Sequence, residues 1–179
     1  GLADFGICTW TSTQAHSTVA YGGANQELLV AWINFPAGVP SYVSARRVFA
    51  DGSGFPPGDG FAVWSGAQPA DFPDVAYNGA RAEYLVTWDV FLSSSNVDIY
   101  AQRVSAGGIL VGTFLVVAGW DDVEEMPAVA ASAPADQYLV AWHSDRGTAG
   151  VNPAIYARHV GGDGTLGTVH LIDDTTAPE

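Results

Sequence analysis

Short apolar runs of four to six residues, separated by Gly, Pro, Asn or Asp, cover most of this chain. The runs are rich in Val, Leu, Ile, Ala, Tyr and Trp, and none has the length or the 3.6-residue period of a helix. Runs of this kind between turn residues are typical of β-strands. The pattern therefore predicts an all-β protein without a helix longer than one or two turns.

The strand pattern occurs three times along the chain. Trp32, Trp88 and Trp142 mark the copies, at spacings of 56 and 54 residues, and each of them ends a run such as Tyr-Leu-Val-Ala-Trp. In every copy one strand-like run precedes this segment and two follow it. Self-similarity at a fixed period of a few tens of residues is the signature of repeat architectures. The sequence predicts three tandem four-stranded antiparallel repeats.

The second strand of each repeat is apolar at consecutive positions, so both of its faces are expected to be buried. A sheet that is covered on both faces is what a β-propeller gives each blade, because a blade packs between two neighbours. The fold class expected is thus all-β, with β-propeller blades. We expect the three recurring Trp side chains to be buried and equivalent, each covered by a neighbouring blade.

The repeats divide the chain into blade 1 at 16–72, blade 2 at 73–126 and blade 3 at 127–179. An additional copy of the fourth strand, at Phe5–Thr9 within residues 1–15, is expected to complete a preceding blade. Propellers have about four to eight blades, so three are not expected to close a ring. The expected partners are other protein chains or further blades of the same array.

The repeats resemble the tandem propeller repeats of secreted bacterial proteins, and more distantly the TolB-type blade. The resemblance rests on Pro-x-Val-Ala-Tyr, on Tyr-Leu-Val-x-Trp and on the segment 98–104, in which an Ile-Tyr pair opens the third strand. It covers residues 16–179 and implies an extracellular or periplasmic location without implying an activity. Blade 1 departs from it, with Ser17 in place of the Pro and Val43-Ser44 in place of the Ile-Tyr pair.

The charge balance is strongly acidic, with 19 Asp and Glu against six Arg and a net charge of -13. Such a chain disfavours nucleic acid and anionic membrane surfaces as partners, because both are bound through Lys and Arg. The sequence has no apolar run near the ~20 residues that span a bilayer. Cys8 is the single cysteine, which excludes an internal disulfide.

Candidate site residues lie in the connections between strands two and three and between blades, which are long and emerge on one face. Indoles beside acidic groups can stack on a sugar, although packing is the alternative for each Trp. The acidic loop at 121–125 offers oxygen ligands for Ca²⁺, with a solvated loop as the alternative. The ligand-binding candidates are Trp10, Trp64, Trp120, Asp89, His143, Asp145 and Arg146, and the metal candidates are Asp121, Asp122, Glu124 and Glu125.

The main functional hypothesis is a non-catalytic extracellular binding module for a glycan or a protein. The alternative is a structural subunit that docks blade to blade with other chains. A hydrolytic enzyme on a propeller scaffold comes third, because no nucleophile motif, phosphate loop or recurring pair of carboxylates is evident. No catalytic residue is assigned, and Ca²⁺ is the only cofactor considered.

Overall fold

The computed structural model describes residues 6–8, 11–57, 60–145 and 153–173. Its twelve β-strands form three antiparallel four-stranded sheets, each with its strands in chain order, and no helix is present in these ranges. The all-β fold of three four-stranded blades is thus confirmed. The strands are β1 (Thr13–Gly22), β2 (Glu27–Phe35), β3 (Tyr42–Phe49), β4 (Phe61–Trp64), β5 (Ala70–Asn78), β6 (Glu83–Ser93), β7 (Asn96–Ser105), β8 (Leu110–Ala118), β9 (Glu124–Ser132), β10 (Gln137–Ser144), β11 (Ala154–Gly161) and β12 (Leu166–Asp173).

The three sheets, called blades 1, 2 and 3 below, pack face to face in chain order. β1 contacts β5 and β5 contacts β9, so the first strands of the blades lie side by side along one inner edge. Within the described residues the three sheets do not close into a ring. In the described part of the chain, no helix is long and apolar enough to cross a membrane.

Each blade has two chemically different faces. The face that we call the Trp face carries Tyr84, Val86 and Trp88 in blade 2, and it packs on Leu29 and Ala31 of blade 1. The opposite face, called the Leu face, carries Leu85, Ile99 and Ala101 in blade 2, and it packs on Tyr138, Val140 and Trp142 of blade 3. Side chains alternate between the two faces because successive residues of a strand point in opposite directions.

The recurring Trp residues are buried as predicted, with 4%, 0% and 2% of Trp32, Trp88 and Trp142 exposed. Trp88 and Trp142 are covered by the preceding blade. Trp32 differs from the prediction, because the described residues that pack on its cluster from outside the strands of blade 1 are Ile7, Cys8 and Phe55, and not those of a neighbouring blade. Of the additional strand predicted at Phe5–Thr9, Gly6–Cys8 are described and are not in a strand, and the rest lies outside the described residues.

A β-bulge interrupts the first strand of every blade. His16, Phe72 and Met126 occupy equivalent positions there, with left-handed φ values of 50°, 44° and 55°. The strand register shifts beside each of them. Pro73 and Pro127 directly follow two of the bulges. The bulge tolerates proline, and each strand begins several residues earlier.

Candidate functional site

Three carboxylates meet near the start of the inner strands. Asp71 on β5 lies opposite Asp89 on β6. Glu125 on β9 lies opposite His143 on β10. Asp71 and Glu125 both lie near enough to Asp89 to raise its pKa through their charge. We call Asp71, Asp89 and Glu125 the inner-edge carboxylates; they come from two neighbouring blades.

The two inner-edge carboxylates that reach solvent each face a histidine. His16 Nδ1 lies 2.5 Å from Asp71 Oδ1, and the imidazole of His16 stacks on the Phe72 ring with 4.6 Å between centroids. His143 Nε2 lies 3.5 Å from Glu125 Oε2. All four titratable side chains are partly exposed. The arrangement places a partly exposed carboxylate beside a partly exposed imidazole twice, once at Asp71 and once at Glu125.

Asp89 lies behind this pair and is fully buried. Its Oδ1 accepts a hydrogen bond of 3.1 Å from the backbone N–H of Met126, which the bulge of β9 turns toward it. Burial raises the pKa of Asp89 to about 8, and the charges of Glu125 and Asp71 add to the rise, whereas the Met126 hydrogen bond lowers it. At neutral pH Asp89 therefore holds a proton for most of the time.

The raised pKa of Asp89 predicts a loss of stability as the pH rises. An unfolded Asp ionises near pH 4, whereas folded Asp89 ionises near pH 8. The contribution of this group is complete below about pH 4 and falls as the pH rises toward 8, since unfolding releases a proton in that window. Over this window the free energy of unfolding of the wild type should fall by an amount on the order of 2–5 kcal/mol. Asp89→Asn, whose amide oxygen can still accept the Met126 hydrogen bond, should not show this fall.

Denaturant titrations of wild type and Asp89→Asn between pH 5 and pH 8 measure this effect. The matched control is Asp51→Asn, because Asp51 is exposed and hydrogen bonds from Ser53 lower its pKa. The free energies of unfolding of wild type and Asp89→Asn should diverge as the pH rises. Parallel pH curves for the two proteins would show that the pKa of Asp89 is the same in the folded and the unfolded protein.

A groove of about 430 Å³ follows the inner edge and is lined by Phe72 and Met126, the residues that follow Asp71 and Glu125 in the chain, and not by the inner-edge carboxylates themselves. The Asp74 carboxylate lies in the wall of this groove. It accepts a hydrogen bond of 2.9 Å from the hydroxyl of Thr18 and one of 2.8 Å from the backbone N–H of Val129. This carboxylate ties the first strands of all three blades together. The groove is lined by His16, Ser17, Thr18, Phe72, Pro73, Asp74, Met126 and Pro127.

A second buried carboxyl group lies on β7. Burial, with the charge of Asp121, raises the pKa of Asp98 to about 6. Its Oδ1 has no hydrogen-bond partner in the described part of the protein. The side chain neighbours Gly119 and Tyr100 on the Trp face. Sequence reasoning did not select Asp98, because an Asp before an Ile-Tyr pair carries no sign of burial.

Two of the predicted aromatic ligand platforms contribute to packing. The ring centroid of Trp64 lies 6.1 Å from that of Trp88 and 6.4 Å from that of Tyr100. Trp120 repeats this arrangement in the next interface, 6.2 Å from Trp142 and 5.2 Å from Tyr156. Trp64 and Trp120 are therefore equivalent, and both are partly buried. Trp10 and Arg146 lie outside the described residues.

The other predicted site residues separate into two groups. His143 and Glu125 belong to the inner-edge site, and so does Asp89, although it lies within β6 and not in a long loop. The connection from β6 to β7 is only residues 94–95, because the apolar pattern of β6 continues through Phe91. Asp145 lies apart, where its Oδ1 accepts a 2.9 Å hydrogen bond from the N–H of Val123.

The metal candidates do not converge. Glu124 is fully buried and Glu125 faces His143, whereas Asp121 and Asp122 precede β9 in the connection from β8. Among the residues that the structure describes, no three His, Cys, Asp or Glu side chains are grouped as metal ligands. The geometry therefore gives no support to the Ca²⁺ hypothesis.

Asp71 and Glu125 form the recurring carboxylate pair that sequence reasoning did not recognise. Each stands two residues before a proline, in Asp71-Phe72-Pro73 and in Glu125-Met126-Pro127, at the same place in blades 2 and 3. The signal is an acidic residue at a fixed offset from a repeated proline. In blade 1 the position of Asp71 and Glu125 is occupied by Ala15, and the next residue, His16, is the one that contacts Asp71.

No protein-family model and no curated protein matches this sequence. Solved structures do share the fold. A Hadza microbial sialidase superposes with a TM-score of 0.65 at 10% identity, over 88% of this chain and 37% of that protein. A thermostable family-43 glycoside hydrolase superposes with a TM-score of 0.60 at 11% identity, over 97% of this chain and 62% of that protein. The endo-arabinase from Bacteroides thetaiotaomicron superposes with a TM-score of 0.59 at 16% identity, over 86% of this chain and 59% of that protein. The chain spans less than two thirds of each of these proteins.

These neighbours correct the functional hypothesis from the sequence. The expectation of a non-catalytic binding module, and with it the expectation that the protein is not an enzyme, is contradicted, because the solved structures described above are named as a sialidase, a family-43 glycoside hydrolase and an endo-arabinase. Identities of 10%, 11% and 16% show the fold alone. The hydrolytic alternative is the better supported of the three hypotheses.

Proposed function

We propose that this chain provides the catalytic blades of a propeller that hydrolyses glycosidic bonds. The observation that carries the proposal is the group of inner-edge carboxylates, in which buried Asp89 has a pKa of about 8 beside the partly exposed Asp71 and Glu125. Most glycoside hydrolases use two carboxyl groups, one as the acid and the other as base or nucleophile. The fold shared with glycoside hydrolases adds support.

Asp71 and Glu125 are the proposed pair that contacts the substrate, because both reach solvent. His16 and His143 hold their carboxylates in place through the 2.5 Å and 3.5 Å contacts. Asp89 is a positioning residue, since it is fully buried. When protonated, Asp89 adds no third negative charge beside Asp71 and Glu125.

The groove along the inner edge is the proposed site of the sugar chain. Phe72 and Met126 provide apolar surface there, and Met126 is 51% exposed. Apolar and aromatic surfaces bind the C–H faces of sugar rings, while carboxylates accept hydrogen bonds from the hydroxyl groups. Two of the structural neighbours are named as arabinan-cleaving enzymes. We therefore propose arabinan or a similar polysaccharide as the substrate class.

A polysaccharide substrate agrees with an extracellular or periplasmic location, which we propose together with the hydrolytic function. The resemblance to repeats of secreted bacterial proteins, including the TolB-type blade, supports the same location. The net charge of -13 disfavours nucleic acid and anionic membranes as partners.

The direct test is release of new reducing ends from polysaccharides by the purified chain. Linear arabinan should give product, and a sialylated oligosaccharide serves as the second substrate because one neighbour is a sialidase. Xylan and dextran are the comparison substrates. A folded protein that releases no reducing ends from any of the four would contradict the proposal.

A further inference from the structure

One interface is built twice within the chain. The Leu face of blade 1 meets the Trp face of blade 2, and the Leu face of blade 2 meets the Trp face of blade 3. The same hydrogen bond ties both interfaces, from Tyr84 Oη to the carbonyl of Glu27 and from Tyr138 Oη to the carbonyl of Glu83, at 3.4 Å and 3.1 Å. The two faces are therefore complementary in shape and in chemistry.

The Leu face of blade 3 is the third copy of this surface, and no blade covers it in the part of the chain that the structure describes. Leu139 and Ile155 are each 40% exposed, whereas Leu85 and Ile99, which occupy the same positions in blade 2, are both 0% exposed. The register of the strands is the same at these positions in the two blades, and in blade 2 a neighbouring blade packs on them. This surface is apolar because it repeats a buried interface.

The Trp face of blade 1 is the matching surface, and it is open along its inner half. Val19 is 54% exposed, compared with 6% for Val75 at the same position in blade 2. A groove of about 350 Å³ runs here between Ile7 and β1, with Val19 and Leu28 in its wall. In the two internal interfaces the corresponding space is filled by a Leu face.

We propose that the Leu face of blade 3 of one copy docks on the Trp face of blade 1 of a second copy of this chain. The contact repeats the two internal interfaces, so it requires no new surface chemistry. Two copies joined head to tail at both ends bring six blades together, which lies within the usual four to eight of a closed propeller. The proposal concerns assembly and does not depend on the hydrolytic activity.

The outer half of the Trp face of blade 1 already holds the segment Gly6–Cys8. Arg46 Nη1 donates a 2.8 Å hydrogen bond to the carbonyl of Ile7, just as Arg158 Nη1 donates one of 2.8 Å to the carbonyl of Val117 in the interface between blades 2 and 3. Ile7 thus stands where a fourth strand stands elsewhere. The matching residue of the docking copy is Ile172, so assembly requires the segment Gly6–Cys8 or the end of β12 to move aside.

The test combines one arginine substitution on each face. Leu139→Arg charges the Leu face of blade 3, and Val19→Arg charges the Trp face of blade 1; both positions are exposed in the single copy. Ile109→Arg is the control, because Ile109 is 71% exposed in the turn between β7 and β8. Masses are measured by light scattering over a range of protein concentrations, and circular dichroism confirms that each variant melts cooperatively.

Wild type and Ile109→Arg should reach twice the chain mass of 18.7 kDa. Leu139→Arg and Val19→Arg should each dissociate at least ~100-fold more readily and remain single copies. A mixture of the two variants should form one-to-one pairs, because the intact Leu face of the Val19 variant can meet the intact Trp face of the Leu139 variant. Serine replaces arginine if a variant does not fold.

Three results would overturn the proposal. The first is a wild type that remains a single copy at every concentration, which would mean that other blades cover the two faces. The second is a dimer that only one of the two arginine substitutions disrupts. That result would mean that two copies of the same face dock on each other and that the other face takes no part. The third is a mixture of the two variants that does not form pairs.

Discussion

Glu125→Gln is expected to lower kcat on the substrate that wild type cleaves by about 10²–10⁴-fold, the usual contribution of a positioned acid or base. The substitution keeps the size of the side chain and removes its charge and its ability to carry a proton to the substrate. KM should change much less than kcat, because the groove itself is intact. Initial rates over a range of substrate concentrations separate the two parameters.

Asp71→Asn should produce a loss of the same order, since Asp71 is the second carboxylate that reaches solvent. Asp51→Asn is the control, because Asp51 lies in the exposed turn after β3. Its activity should equal that of wild type. Activity that survives both Glu125→Gln and Asp71→Asn at the wild-type level would place the chemistry away from the inner edge.

Trp88→Ala is expected to lower the free energy of unfolding by about 3–5 kcal/mol, the range for deleting a large core aromatic. Trp88 is fully buried between blades 1 and 2, and its ring contacts those of Trp64 and Tyr100. Removing the indole leaves a cavity that the rigid strands on either side cannot close. Urea titration measures the change.

Leu92→Ala is the matched control, because Leu92 lies on the same strand and is 43% exposed. It should cost less than about 1 kcal/mol. Trp88→Phe should cost less than Trp88→Ala, since it retains a ring and removes an indole N–H that has no hydrogen-bond partner in the described residues. A cost below about 1 kcal/mol for Trp88→Ala would mean that the blades do not pack through this residue.

The fold was predictable because its information is repeated and local. Each second strand is an apolar run that ends in Trp, so three copies reinforce one interpretation, and the blades have that strand at their centre. The burial of Trp88 and Trp142 followed from the same repetition. The covering of Trp32 followed only in part, because Ile7 belongs to the additional copy of the fourth strand, whereas Phe55 lies outside the repeated strands.

The candidate site was only partly predictable, because it depends on backbone geometry and on burial. The bulges at Phe72 and Met126 bring the preceding Asp71 and Glu125 to the inner edge, and a bulge has no fixed sequence signature apart from the proline that follows. Asp89 was selected as a loop residue, whereas β6 continues past it and buries it. The pKa of about 8 follows from that burial.

The central claim is that the inner-edge carboxylates of this chain hydrolyse glycosidic bonds. The most direct measurement is mass spectrometry of arabinan products formed in ¹⁸O-labelled water by wild type and by the double variant Asp71→Asn/Glu125→Gln. Hydrolysis by wild type should place one ¹⁸O atom in each new product end, and the double variant should form essentially no labelled product. Products that appear equally with both proteins, or no labelled product with folded wild type, would contradict the claim.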